Sequence, residues 1–348
     1  MFLALPIAPD SGLTQTSGSG SHSYIVAFPK ASCLKEGAFG GSGQSPALLP
    51  DLSGLLARLV APFFVLIWAT GFIAARLVAP HVQPLSFLCL RYVVASGVLA
   101  AMALVSGARW PSGRGWRDTA LAGLLIQAGY LGGVFWAVRH GLPAGLSALI
   151  VGLQPLLTAA LAWRLLGERV GARRWAGIAV GFAGAALVVA PVLLSSVQPS
   201  GRAVSPAAVA VCLGAMVSIT LGTIWQKRTG GVGDLRTALA VQYAASLAVT
   251  APVALLLEGG AVGFDGSWQA WAGLLWASLG LSVGAVSLLM VLIRRGAVAG
   301  VATLLYLVPP VAAAMAFLAF GEVLTSMQVG GMAVAVAGVA LSQTARAG

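Results

Sequence analysis

From Leu56 onward, stretches of about 20 mostly apolar residues alternate with short polar breaks, the length an α-helix needs to cross roughly 30 Å of hydrocarbon. The pattern predicts helices over residues 57–78, 85–106, 118–138, 145–166, 174–194, 204–226, 235–256, 269–293, 297–320 and 323–344. The predicted fold class is an all-α integral membrane protein with ten transmembrane helices. Residues 1–54 follow a different pattern. They hold SGSGSHS and GAFGGSGQS, several prolines and no run long enough to span, the composition of a disordered tail. The opening MFLALPIAP lacks the basic segment that precedes the apolar run of a signal peptide. A start site placed too far upstream would account for the whole tail.

Composition narrows the class. Of 348 residues, 59% are hydrophobic and 8% charged, about a third of the charge a soluble domain carries. No core available at this length hides that much apolar surface from water, so a soluble enzyme and a disordered chain are both excluded. The net charge of +11 would suggest nucleic acid in a soluble protein, but its placement points elsewhere. With a cytoplasmic N-terminus, 16 of the 20 Lys and Arg residues fall on the cytoplasmic side. Arg76, Arg139 and Arg202 fall outside, and Arg91 alone lies within a span. The positive-inside rule then predicts an inner (plasma) membrane protein with both termini cytoplasmic and no nucleic-acid partner.

Other residues with possible chemistry have simple structural uses. Trp110, Trp116, Trp163, Trp175, Trp268 and Trp271 lie near predicted span ends, as an interfacial aromatic belt requires. Gly129/Gly133, Gly177/Gly181 and Gly280/Gly284 are G-x-x-x-G pairs suited to close helix packing. Cys33, Cys89 and Cys212 form no C-x-x-C pair, and His22, His81 and His140 are scattered. Neither a metal site nor a bound cofactor is expected.

An internal repeat organises the spans. At an offset of 154, Ala148, Leu153, Pro155, Ala159 and Ala160 match Ala302, Leu307, Pro309, Ala313 and Ala314. Gly167-Glu168 matches Gly321-Glu322, Gly177 matches Gly331, and Gly184 matches Gly338. A fainter echo at 151 aligns Arg91-Tyr92 with Gln242-Tyr243, Gly71 with Gly222 and Arg76 with Lys227. The halves are residues 56–194 and 204–345, with five helices each. Five is odd, so the second half must enter the membrane from the opposite face, as in transporters built from inverted repeats.

The stretch WATGFIAARLVAPHVQPLSFLCLRYVVASG resembles the start of an EamA-type repeat, through Trp68, Gly71 and Arg91. LPAGLSALIVGLQPLLTAALAWRLLGERVGARRWAGIAVGFAGAALVV resembles that repeat's end, and RRGAVAGVATLLYLVPPVAAAMAFLAFGEVLTSMQVGGMAVAVAGVAL resembles it again. The second half departs from the pattern, with no Trp before Gly222 and Gln242 in place of the Arg. The resemblance, over roughly 56–345, is to the EamA branch of the drug/metabolite transporter superfamily. It implies ten helices around a central cavity, alternating access and efflux of amino acids or other small metabolites.

Candidate site residues follow from what a bilayer tolerates. Proline inside a helix frees a carbonyl, which is acceptable where the break is buried in protein or lines a cavity. Pro155 and Pro309 are matched breaks in the two halves, with Gln154, Thr303 and Tyr306 as polar neighbours; simple kinks are the competing explanation. Arg91 is a functional candidate because an intramembrane charge is costly. It lies about 9 Å from the predicted span end at 1.5 Å per residue, so snorkelling to the headgroups is the alternative. Gln127, Gln242, Trp68, Tyr130, Trp136 and Tyr243 complete a candidate cavity lining. Glu168 and Glu322 end helices 4 and 9, where capping the turn into the next helix competes with a gating role.

All nine acids lie in the tail, in loops or at span ends, so no carboxylate near the midplane serves a proton relay. No paired carboxylate, His/Cys cluster or phosphate-binding loop supports enzymatic chemistry or ATP-driven pumping. The function expected is a secondary transporter exporting a small organic metabolite, with the substrate and the bilayer as partners. A membrane-embedded enzyme acting on a lipid-linked substrate and a non-transporting membrane scaffold are the alternatives.

Overall fold

The computed structural model describes residues 52–166, 171–195, 204–229, 233–259, 263–285, 287–288 and 307–344, with the backbone alone in the outermost turns of several helices. Every regular element among the described residues is helical. In chain order these are α1 (Leu52–Val78), α2 (Pro84–Val105), α3 (Arg114–Arg139), α4 (Ala144–Val151), α5 (Gln154–Leu166), α6 (Ala172–Ser195), α7 (Pro206–Arg228) and α8 (Leu235–Leu257). Then follow α9 (268–285), α10 (Val308–Phe320) and α11 (Ser326–Thr344). Five stretches, among them Pro84–Val105 and Arg114–Arg139, are long and apolar enough to cross a bilayer; Pro62–Val78, Trp175–Pro191, Val308–Phe320 and Ser326–Leu341 are shorter apolar helices.

The helix starts have local causes. Pro84 and Pro206 occupy first-turn positions, where a missing N–H costs nothing. Asp234 caps α8 by accepting from Arg236 N at 2.9 Å, and Ser267 caps α9 by accepting from Ala270 N at 3.3 Å. Thr325 and Gln328 form a reciprocal capping box at α11: Gln328 N donates to Thr325 Oγ1 at 3.2 Å and Thr325 N to Gln328 Oε1 at 2.9 Å. Gly321 ends α10 in the left-handed region at φ 65°, where glycine meets no Cβ clash.

Three expectations need correction. α1 begins at Leu52, so the last residues assigned to the tail are helical; residues 1–51 lie outside the described chain. The span predicted over 145–166 is two helices divided at Gly152-Leu153. Pro155 therefore sits in the first turn of α5 and Pro309 in the first turn of α10, so both open helices rather than kinking one. Hydropathy could not show the division because the break is as apolar as its flanks. Finally, among the described residues Gly280 and Gly284 show no close helix crossing: the atoms nearest to a Cβ on Gly280 belong to the Trp276 ring of the same helix.

The other small-residue pairs do pack. A Cβ on Gly129 would strike Ser218 Oγ and one on Gly133 would lie 2.8 Å from Ala215 Cβ, so α3 and α7 touch closely there. The most extensive helix contact joins α6 to α11. On Gly184 a Cβ would lie 2.6 Å from Gly331 O, and on Gly338 it would lie 2.7 Å from Gly177 O. The chains cross antiparallel, backbone on backbone, which only glycine allows. Elsewhere α2 packs on α8, α4 on α10, and α1 on both α9 and α10. The largest buried cluster, including Phe87, Tyr92, Leu99 and Leu239, fills the space where α1, α2, α3 and α8 meet.

Candidate functional site

A cavity of about 80 Å³ opens between α1, α2, α3, α8 and α9. α1 contributes Trp68, Gly71 and Phe72, α2 contributes Arg91, and α8 contributes Leu239 and Tyr243. Gln127 and Tyr130 come from residues 124–131 of α3, where the helix widens into i→i+5 hydrogen bonding. Residues 276–285 of α9, which supply Leu281, are wound in the same way. Such turns are rare and concentrate at functional sites.

Arg91 is the charged member. It is 6% exposed, and its Nε and one terminal nitrogen each donate to Ser282 Oγ at 3.3 Å. Ser282 also accepts from Tyr243 OH at 2.9 Å and donates to Ala277 O at 3.0 Å. The Tyr243 ring lies 5.7 Å from the Tyr92 ring, and Tyr92 OH donates to the carbonyl of Gln127 at 2.7 Å. A chain of hydroxyls thus ties α2, α3, α8 and α9 around the guanidinium. Among the described residues no carboxylate pairs with it. Snorkelling does not describe this side chain: it turns inward, to a hydroxyl on another helix.

The sequence candidates divide among several places. Arg91, Gln127, Trp68, Tyr130 and Tyr243 come together on the cavity wall. Gln242 does not line it. It lies where α8 meets α3, its Cα only 2.5 Å from where a Gly123 Cβ would be, with Oε1 buried and unbonded. Trp136 stacks on His140 at 3.8 Å, also away from the cavity. Gln154 donates to Thr223 Oγ1 at 3.2 Å, joining α5 to α7. The α4–α5 division, three residues before Pro155, meets the start of α10: a Cβ on Gly152 would collide with Pro309 Cγ. Thr303, Tyr306 and Glu168 lie outside the described residues.

Glu322 caps a helix, but not the next one. It accepts from Ala144 N at 3.2 Å and Gly145 N at 3.1 Å at the start of α4, and Arg76 Nε lies 3.4 Å away. The capping box of α11 leaves that helix no need of it. Glu258 plays a similar part that sequence reasoning missed. It accepts from Leu85 N at 2.8 Å, Ser86 N at 2.9 Å and Ser86 Oγ at 2.7 Å, at the start of α2. One signal was present: an acid at a helix C-terminus opposes its own dipole, so it serves another helix's N-terminus. Ser282, by contrast, carried no signal, being one small polar residue in an apolar run. Among the described residues no three His, Cys, Asp or Glu side chains gather to hold a metal.

Long apolar helices that enclose a small cavity lined by a buried arginine are the build of a multi-pass membrane protein. Residues 54–190 match the model of the EamA-like transporter family. Over 283 residues the chain is 31% identical to the "Probable terminal-alkyne amino-acid exporter" of Streptantibioticus cattleyicolor, covering 80% of this chain and 90% of that one. It is 27% identical over 299 residues to the "Probable amino-acid metabolite efflux pump" of Salmonella typhimurium, covering 82% and 93%. A solved crystal structure shares the fold at a TM-score of 0.56 and 20% identity, over 83% of this chain and 98% of that one. The chain belongs to the EamA-like transporter family and is a transmembrane transporter.

Proposed function

We propose that this protein is a secondary carrier of the inner (plasma) membrane, with both termini cytoplasmic. It exports a small organic metabolite, an amino acid or a related compound, by alternating access between two inverted five-helix repeats, 56–194 and 204–345. The observation that carries this reading is the cavity lined by Arg91, whose walls come from α1, α2 and α3 of one half and α8 and α9 of the other. A site at the interface of two halves is exposed to either side by rocking one half on the other.

Reciprocal contacts support the repeat. Exchanging the halves turns the Gly184–Gly331 contact into Gly338–Gly177, and both occur, antiparallel. The matched tyrosines Tyr92 and Tyr243 pack on each other, as residues beside a two-fold axis do. The widened turns at 124–131 and 276–285 occupy corresponding places in the two halves. The names of the two exporters above support outward movement of amino-acid-like solutes. A membrane-embedded enzyme is less favoured, because the cavity holds a cation and aromatic rings but no acid or base pair.

Metabolite profiling inside and outside cells, with and without the gene, tests the function. At least one amino acid or related metabolite should accumulate inside cells that lack it, and the purified protein in liposomes should move that compound. A reconstituted protein that moves no member of a broad amino-acid and metabolite panel would overturn the proposal.

A further inference from the structure

The charge inside the cavity indicates what kind of solute completes it, an inference that rests on the carrier reading above. Arg91 is 6% exposed, with two N–H groups on the Ser282 hydroxyl and, among the described residues, no acid opposite. Around it stand the rings of Trp68, Phe72, Tyr130 and Tyr243 and the amide of Gln127. Lysine or glutamic acid in such a place would lose its charge, but a guanidinium keeps its proton. A buried charge is stabilised by an opposite charge with good geometry, and a hydroxyl supplies only a dipole.

A solute can supply that opposite charge. A zwitterion leaves the site as positive as before and adds an ammonium group that no carboxylate on the wall receives. A cation makes matters worse. A monoanion brings the site to neutrality, and the flat guanidinium fork suits a carboxylate. We infer that, of the amino acids and related compounds proposed above, the cavity takes the monoanionic relatives in preference to the zwitterions: a small monocarboxylate whose carboxylate lies on Arg91 and whose apolar body lies against the rings.

This assignment also supplies the driving force. Over a full cycle the protein returns to its starting state, so the net charge moved is that of the solute and any co-ion. A monoanion leaving a cell whose interior is negative runs downhill, sustaining about a tenfold concentration ratio per ~60 mV. Export of this kind needs no titrating carboxylate in the spans, and all nine acids of the sequence lie in the tail, in loops or at predicted span ends.

Three probes with one branched skeleton test the charge preference: ketoisocaproate as monoanion, leucine as zwitterion and isoamylamine as cation. The full chain is reconstituted in liposomes with the potential set by potassium and valinomycin and chloride equal on both sides. Ketoisocaproate should leave faster when the interior is negative, approaching about a tenfold ratio per ~60 mV, and should raise the unfolding temperature of the detergent-purified protein more than leucine does. Arg91→Gln should lower ketoisocaproate transport at least tenfold, and Arg91→Lys should restore part of it. If Arg91→Gln does not assemble, the charge preference and voltage dependence of the unaltered protein decide the matter. Leucine moved without charge at least as well as ketoisocaproate would overturn the inference and leave the carrier standing. Movement and binding of none of the three would overturn it too, and the broad panel then separates a carrier of another solute from a chain that carries nothing.

Discussion

Gly184, Gly331 and Gly338 illustrate what the absence of one carbon decides in this chain. Each faces backbone on the opposing helix closely enough that a methyl group would collide, so the α6–α11 contact exists because those side chains are absent. Gly97, in α2, has nothing within 4 Å of where its Cβ would be. Gly184→Ala should therefore destabilise the protein by about 1–3 kcal/mol through forced separation of the helices. Gly97→Ala should be neutral or stabilise it by up to about 1 kcal/mol, because alanine is the better helix former. Thermal unfolding of the two variants in detergent separates these outcomes, and a Gly184→Ala protein as stable as the original would contradict the close crossing. The same scale shows what sequence can and cannot reveal. Arg91 stands out in any listing of charges by span, since one cation among apolar residues either snorkels to the headgroups or serves a site. Ser282, which orients it, is one small polar residue in an apolar run, and only its neighbours give it a role.

Helix ends carry the polar logic of the elements. α2 begins with Pro84, which supplies no N–H, and no side chain of its own cap bonds the next amides. Glu258, at the end of α8, accepts three hydrogen bonds there with its two carboxylate oxygens, its charge placed on the positive end of a helix dipole. Glu258→Ala should cost about 1–3 kcal/mol, since buried or half-buried donors would be left unmet, and hydrogen exchange at Leu85 and Ser86 should accelerate. Unchanged protection of those two amides would count against the cap. The connection before α9 holds a second tie. Asp265 accepts from Ser267 N at 2.9 Å and approaches His81 Nδ1 at 2.7 Å. Hydrogen bonding from Ser267 first, then from His81, lowers its carboxyl from an ordinary 3.8 to about 2. A carboxyl lowered on folding stabilises above its unfolded value, so this tie is present above about pH 4 and fades as pH falls toward 2. Exchange of the Ser267 amide should stay protected at pH 5 and lose protection between pH 4 and 2; loss already at pH 5 would show that Asp265 is not held in this way.

At the scale of the molecule, charge sorting and helix order make one prediction together. In a background lacking Cys33, Cys89 and Cys212, Pro80→Cys should react with an impermeant thiol reagent added outside cells. Ser112→Cys, between α2 and α3 among Arg109, Arg114 and Arg117, should react only after the membrane is opened. The reverse pattern would invert the proposed orientation. The exchange symmetry of the contacts belongs to this scale as well. An offset of about 150 residues is visible in a few prolines and glycines, but the Tyr92–Tyr243 stack and the paired widened turns are relations between distant segments.

The sequence by itself determined the solvent, the helical class, most helix positions and the family, because apolar length and charge asymmetry are read by the bilayer one segment at a time. It also singled out Arg91, Gln127, Trp68 and Tyr130, since polar and aromatic groups in hydrocarbon stand against a uniform background. Only the tertiary structure placed Gln242 at a helix contact instead of the cavity, divided α4 from α5, and assigned Glu258 and Glu322 to helices more than 170 residues away. Those outcomes depend on which helix faces which, and lipid-like side chains on every face leave that choice to shape and to a few hydrogen bonds. The cavity is therefore a property of the packing, while the charge that gives it meaning was written in the chain.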